Sequence, residues 1–195
     1  MIAKQIMNTT LNYSPNFDQK KRKPKQIKFV IFHYTGMKSE NDAIQRLTNK
    51  KSKVSCHYFI KTNGEILTIV PVIYNAWHAG ISVWKKYKSL NKNSIGIELN
   101  NPGHEFKYRK FSKKQINSLI KLCKFLIKKY QIKSYSFLGH SDIAPDRKKD
   151  PGEKFPWKFL SKNKIGFWHD LKQNLIAEKR NIEIKKKDKL IFLKI

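Results

Sequence analysis

The chain has 195 residues, 42 of them Lys or Arg against 14 Asp or Glu, for a formal charge of +28, and 39% of it is hydrophobic. That length and apolar share suit one domain with one core. They go with neither a disulfide scaffold nor a helical membrane protein: Cys56 and Cys123 sit in apolar segments without CxxC spacing, and no run approaches roughly 20 apolar residues.

The charge admits two readings. One is a nucleic-acid binder attracted through counterion release. The other is a solvated surface with general attraction to anionic partners, because the lysines are scattered along most of the chain and accompany the abundant Ile and Asn of an AT-rich coding sequence. The second is taken, so no specific nucleic acid is expected. The N-terminal stretch holds no apolar run long enough for a signal-peptide core. A soluble, cytoplasmic protein is therefore expected, with the cell envelope reached by a non-classical route as the alternative.

Residues 1–26 are polar, basic and aperiodic and are expected to form an arm, with a domain at 27–178 and a basic tail at 179–195. The first element, IKFVIFHYT, is apolar almost throughout, which predicts a central strand covered on both faces and ending at His33. SENDAIQRL then starts a helix at Ser39, with Asp42 three residues on. VSCHYFIKTNGEILTIVP predicts a hairpin turning at Asn63-Gly64. After a Trp/His-rich loop, NSIGIEL predicts a strand ending near Glu98. From Ser112 to Tyr130, Ile116, Leu119, Ile120, Cys123, Leu126, Ile127 and Tyr130 recur at three- and four-residue steps, the strongest helix, with Ser112 and Gln115 as its capping box. YSFLGH returns as a strand ending at His140, the proline-broken loop HSDIAPDRKKDPG follows, and FPWKFLSKNKIGFWHDLKQNL reads as short helical turns. The order β-α-β-β-β-α-β predicts an α/β fold, a mixed central β-sheet with helices packed on its faces.

His33 and His140 both end predicted strands, where side chains leave the core and can converge on a cleft, and Asp150 lies in the loop after His140. Two imidazoles and a carboxylate make up an open catalytic zinc site whose fourth position holds water. Spacing alone leaves the matter open, since the histidines are distant in sequence and a strand-end histidine is commonly a satisfied structural group.

Five segments, FHYT, VSCHYFI, AWHAG, NSIGIELNN and GHSDIAPDRKKDPGEKFPW, stand in the order found in zinc-dependent N-acetylmuramoyl-L-alanine amidases of the AmpD/AmiD type. From Lys28 to Asp170 the chain resembles that family, which is related to peptidoglycan-recognition proteins. The resemblance implies a zinc site at the C-terminal ends of the strands, with Zn2+ held by His33, His140 and Asp150. It also implies Glu98 as catalytic carboxylate, moving protons, and Lys148 as a second catalytic residue that stabilises the oxyanion with the metal. Pro145 and Pro151 then restrict the loop that carries Asp150. His57, Trp77 and His78 are expected as substrate contacts in a sugar-peptide groove. Cys56 stands where some relatives carry a catalytic tyrosine, which leaves the proton handling to Glu98.

The expected reaction is hydrolysis of the amide between (1,6-anhydro-)N-acetylmuramic acid and L-alanine of the stem peptide, on muropeptides or peptidoglycan, in recycling or turnover. Rival readings are a non-catalytic peptidoglycan-binding module, a basic nucleic-acid-binding protein, and a zinc hydrolase of another amide. Asp142 and Asp146 are expected to shape the loop, and Trp84, Tyr87, His104 and His169 receive no functional role.

Overall fold

The computed structural model describes residues 8–169, 171–172 and 174–175. In chain order the strands are β1 (Thr10–Leu11), β2 (Phe17–Asp18), β3 (Phe29–Tyr34), β4 (Tyr58–Ile60), β5 (Ile66–Thr68), β6 (Asn75–Ala76), β7 (Val83–Trp84), β8 (Tyr87–Lys88), β9 (Ser94–Leu99) and β10 (Phe137–Gly139). The helices are α1 (Glu40–Thr48), α2 (Lys113–Tyr130), α3 (His140–Ile143) and α4 (Trp157–Lys162). Six strands form one sheet in the order β1-β5-β4-β9-β3-β10; β4 and β5 run antiparallel and every other neighbouring pair is parallel. β3, α1, β4, β5, β9, α2 and β10 are the elements expected from the sequence, in that order. The two-residue strands are too short to leave a period.

β3 and β9 pair from Phe29 with Ser94 to Tyr34 with Leu99. Alternation therefore sends Val30, Phe32, Ile95, Ile97 and Leu99 to one face and Ile31, His33, Ser94, Gly96 and Glu98 to the other. The first face is covered by α2, whose Ile116, Leu119, Leu122, Cys123 and Leu126 join it in one buried cluster. Each such aliphatic side chain contributes about 1.5–3 kcal/mol on burial. α2 starts where expected: Ser112 Oγ accepts from Gln115 N, and Gln115 Oε1 accepts from Ser112 N. Both cysteines are free and buried.

On the second face α1 covers only the β4–β5 side, through Ala43 and Leu47 against Phe59, Leu67 and Ile69. The hairpin beneath it turns at Gly64, whose φ of 89° is open to a residue without Cβ. Over β3 and β9 the polar end of this face is left open between α1 and the loop that follows β6.

Residues 8–26 depart from the expected arm. β1 extends the main sheet and β2 pairs with β6. Asn16 and Arg22 are buried; the Asn16 amide donates to Asn49 O and Val54 O, and the Arg22 guanidinium donates to Val72 O, Asn91 O and Ser94 O. A polar segment packs here because backbone carbonyls of the domain are its partners, a fit that hydrophobic periodicity does not register. The tail at 179–195 lies outside the described residues. Among those described, no helix is long and apolar enough to cross a membrane, and the ion pair between Lys or Arg and a carboxylate is Lys61–Glu65 alone.

Candidate metal and catalytic site

His33 and Glu98 face each other across the β3–β9 pair, so one register places both on the open face. β10 lies parallel to β3 with Gly139 beside Phe32, which brings His140, the first residue of α3, next to His33. Asp142 Oδ2 accepts from Gly139 N at 2.7 Å and shapes this corner, as expected. Asp150 is fixed through its neighbours. Ser141 N donates to Asp150 O, Tyr108 Oη donates to Pro151 O at 2.6 Å, and the Asp150–Pro151 peptide is cis.

His33 Nδ1, His140 Nδ1 and Asp150 Oδ2 form a triangle with edges of 2.9, 3.0 and 3.0 Å, and all three residues are buried. Tetrahedral bonds of about 2.0–2.1 Å place neighbouring donor atoms about 3.3 Å apart, so the triangle is close to one face of a zinc polyhedron. The donor chemistry fits as well. Ala79 O lies 3.1 Å from His140 Nε2 and can only accept, so the ring proton of a neutral His140 sits on Nε2 and its Nδ1 is a bare lone pair. Burial, and then the neighbouring His140, push His33 down to about 4, which leaves it neutral at pH 7. Burial opposes the Asp150 charge, but protons shared with the two imidazoles outweigh it and hold the Asp150 pKa well below the usual carboxylate range, a place that a cation can take instead. Three donor atoms converging this closely could hold a metal ion between them.

Beside the triangle, a cleft of about 470 Å³ is lined by Trp77, His78, Glu98 and Lys148, together with Tyr34, Arg46 and His104. Glu98 Oε2 is buried with no hydrogen-bond partner among the described residues. Burial, reinforced by the Asp150 charge and opposed by Lys148, pushes Glu98 up to about 8. A carboxylate that is poised near neutrality and owes its lone pairs to no neighbour is suited to exchange protons with whatever enters the cleft.

The expected substrate contacts divide. Trp77 lines the cleft, with its Nε1 donating to Asp18 Oδ1 at 2.8 Å so that only the ring face is offered. His78 lines it too, but both ring nitrogens are engaged, Nδ1 with His33 Nε2 at 3.0 Å and Nε2 with Ser94 Oγ at 3.1 Å. It stands behind His33, with no ring nitrogen left to turn toward the cleft. His57 does not reach the cleft at all. It is fully buried, accepts from Gly96 N at Nδ1, and meets Tyr74 O and the Arg22 guanidinium at Nε2. Alternation does set it apart from Cys56 and Tyr58, but toward the packed underside of residues 8–26, a neighbour the sequence did not disclose.

Other cleft residues went unnoticed in the sequence. Arg46 and Tyr34 read as a helix charge and a strand aromatic, and His104 as an isolated histidine; it joins Tyr34 Oη at 2.8 Å and Glu153 Oε2 at 2.8 Å. Arg147 donates to Ala79 O at 2.8 Å and to Ile81 O, tying the metal-site loop to the segment after β6. Ser94 and Gly96 carried a legible signal, because their two-residue step to Glu98 puts all three on the open face.

The family profile described as Amidase_2, N-acetylmuramoyl-L-alanine amidase, matches residues 23–153. The chain belongs to this family. It is 42% identical to the N-acetylmuramoyl-L-alanine amidase AmiD of Escherichia coli K12 over 157 residues, 74% of this chain and 56% of that protein. It is 33% identical over 167 residues to the 1,6-anhydro-N-acetylmuramyl-L-alanine amidase AmpD of Haemophilus influenzae, covering 76% of this chain and 88% of AmpD. The solved complex of E. coli AmiD with anhydro-N-acetylmuramic acid-L-Ala-D-γ-Glu-L-Lys superposes with a TM-score of 0.70 at 37% identity, over 81% of this chain and 65% of that one. The chain thus spans little more than half the length of the AmiD protein it matches.

Proposed function

We propose that this protein is a zinc-dependent N-acetylmuramoyl-L-alanine amidase. In this reading it hydrolyses the amide between the lactyl carbonyl of (1,6-anhydro-)N-acetylmuramic acid and the nitrogen of L-alanine. The observation that carries the reading is the juxtaposition of three converging lone pairs, on His33, His140 and Asp150, with the partnerless Oε2 of Glu98 on one cleft wall. The named substrate of the AmiD complex supports the muropeptide class.

His33, His140 and Asp150 would hold the metal, which when bound supplies Lewis acidity toward the carbonyl and lowers the pKa of water. Glu98 takes the proton of the attacking water and returns one to the departing amine; its position near neutrality suits both transfers. Lys148, on the same cleft, donates to the carbonyl oxygen as negative charge grows there, a contribution of about 3 kcal/mol for one well-placed donor. Trp77 offers a flat face for the sugar or the first peptide bond. The two free buried thiols suit a reducing compartment, in keeping with cytoplasmic recycling. Cell fractionation checks that placement.

The test is mass spectrometry of an anhydro-muramyl tripeptide after incubation with the protein, with and without a chelator and beside Glu98→Gln. Release of free stem peptide that needs both the metal and Glu98 is expected. An intact substrate in the presence of zinc-loaded protein removes the amidase reading for this substrate and favours a binding module.

A further inference from the structure

We infer that Ser94 is a positioning residue for the metal site: through His78 it decides which nitrogen of His33 carries the ring proton, and so presents the His33 Nδ1 lone pair to the cation. The inference rests on the proposed metal-dependent function.

The argument is a chain of forced donors. Leu90 O can only accept a hydrogen bond, and Ser94 Oγ lies 2.6 Å from it, a distance that places the single hydroxyl proton between them. Turned the other way, the hydroxyl would leave two acceptor oxygens at that separation. Ser94 Oγ therefore has only lone pairs left for His78 Nε2 at 3.1 Å, and His78 must donate from Nε2. A neutral His78 then has a bare Nδ1, which accepts from His33 Nε2 at 3.0 Å. His33 carries its proton on Nε2, and Nδ1 faces His140 and Asp150 as a lone pair.

Rigidity makes the relay effective. Ser94 and Leu90 are fully buried. The Asn91 side-chain oxygen accepts from the backbone N–H groups of both His78 and Ala79, at 3.1 and 2.8 Å. The His78 ring lies so close over Gly96 that a Cβ there would collide with its Cγ, which leaves the ring no room to tilt toward the sheet. The same short segment thus serves both imidazoles: Ala79 O sets the tautomer of His140, and Ser94, through His78, sets that of His33. Partners of this kind change metal affinity by about 10–100-fold when removed.

The experiment uses the full chain and has two readouts. Zinc affinity is measured by competition with a chromophoric chelator for the unmodified protein, Ser94→Ala and Ser94→Thr, and long-range 15N–1H NMR assigns the ring proton of His78 in the unmodified protein. Expected are a His78 proton on Nε2, zinc affinity about 10–100-fold weaker in Ser94→Ala, and recovery in Ser94→Thr, which keeps the hydroxyl. A His78 proton on Nδ1, an unchanged affinity in Ser94→Ala, or a loss that Ser94→Thr fails to restore overturns the inference. The NMR assignment needs no variant and decides even if Ser94→Ala misfolds. Failure of the unmodified protein to bind zinc at all would instead strike the proposed function.

Discussion

The two faces of the β3–β9 pair come from alternate residues of the same two strands, yet they answer to different demands. One face carries Val30, Phe32, Ile95, Ile97 and Leu99 against α2 and is dry and apolar. The other carries His33, Ser94, Gly96 and Glu98 and holds buried polar groups, one of them without a partner. The first stabilises the fold, and the second holds an arrangement of buried polar groups that costs stability. Alternation lets one pair of strands do both, because a side chain on one face does not disturb the other.

Substitutions on each face should fail in different ways. Glu98→Gln is expected to lower kcat by about 10³-fold while zinc affinity remains, since proton transfer is lost and the ligand triangle is untouched. Chelator competition alongside the amidase assay separates the two effects. Leu119→Ala on the α2 face should cost about 3 kcal/mol in urea unfolding by leaving a cavity under the helix, while kcat per folded molecule stays unchanged. A comparable loss of kcat there would show that the faces are coupled. Lys148→Met should lower kcat by about 10²-fold with little change in KM, because its donor is needed most as the oxyanion forms.

The sequence made the α2 face legible and the open face only partly so. The period of Ile116, Leu119, Cys123 and Leu126 repeats often enough to define a helix and its buried stripe, and Ser112 with Gln115 marks its start. His33, His140 and Asp150 stood out at strand ends and in a proline-broken loop, Glu98 took its role only from the family resemblance, and one register brings His33 and Glu98 together. His57 was misplaced because its neighbours, Arg22 and Tyr74, come from segments without periodicity. His78 carried the right residue type, but its duty depends on a serine sixteen positions away, a relation fixed by the packing of a loop over a strand.

A last prediction tests the claim that the open face costs stability. Burial first, and then the charge of Asp150, raise the folded-state pKa of Glu98 to about 8 from an ordinary 4.5. Below pH 4.5 the group is protonated in both the folded and the unfolded chain, and the wild type and Glu98→Gln should differ little in stability. Between pH 4.5 and 8 the unfolded chain releases the proton while the folded one keeps it, so wild-type stability falls as pH rises through that window, by at most about 1.4 kcal/mol per unit. Glutamine has no proton to release and escapes that loss. Metal-free Glu98→Gln should therefore be more stable than the wild type by about 3 kcal/mol at pH 7, a gain that shrinks toward zero near pH 4.5. Thermal unfolding in chelator at the two pH values reads it directly. A variant no more stable at pH 7 than at pH 4.5, relative to the wild type, would mean that the site relaxes around Glu98 without its metal, and that the two faces differ in chemistry but not in stored cost.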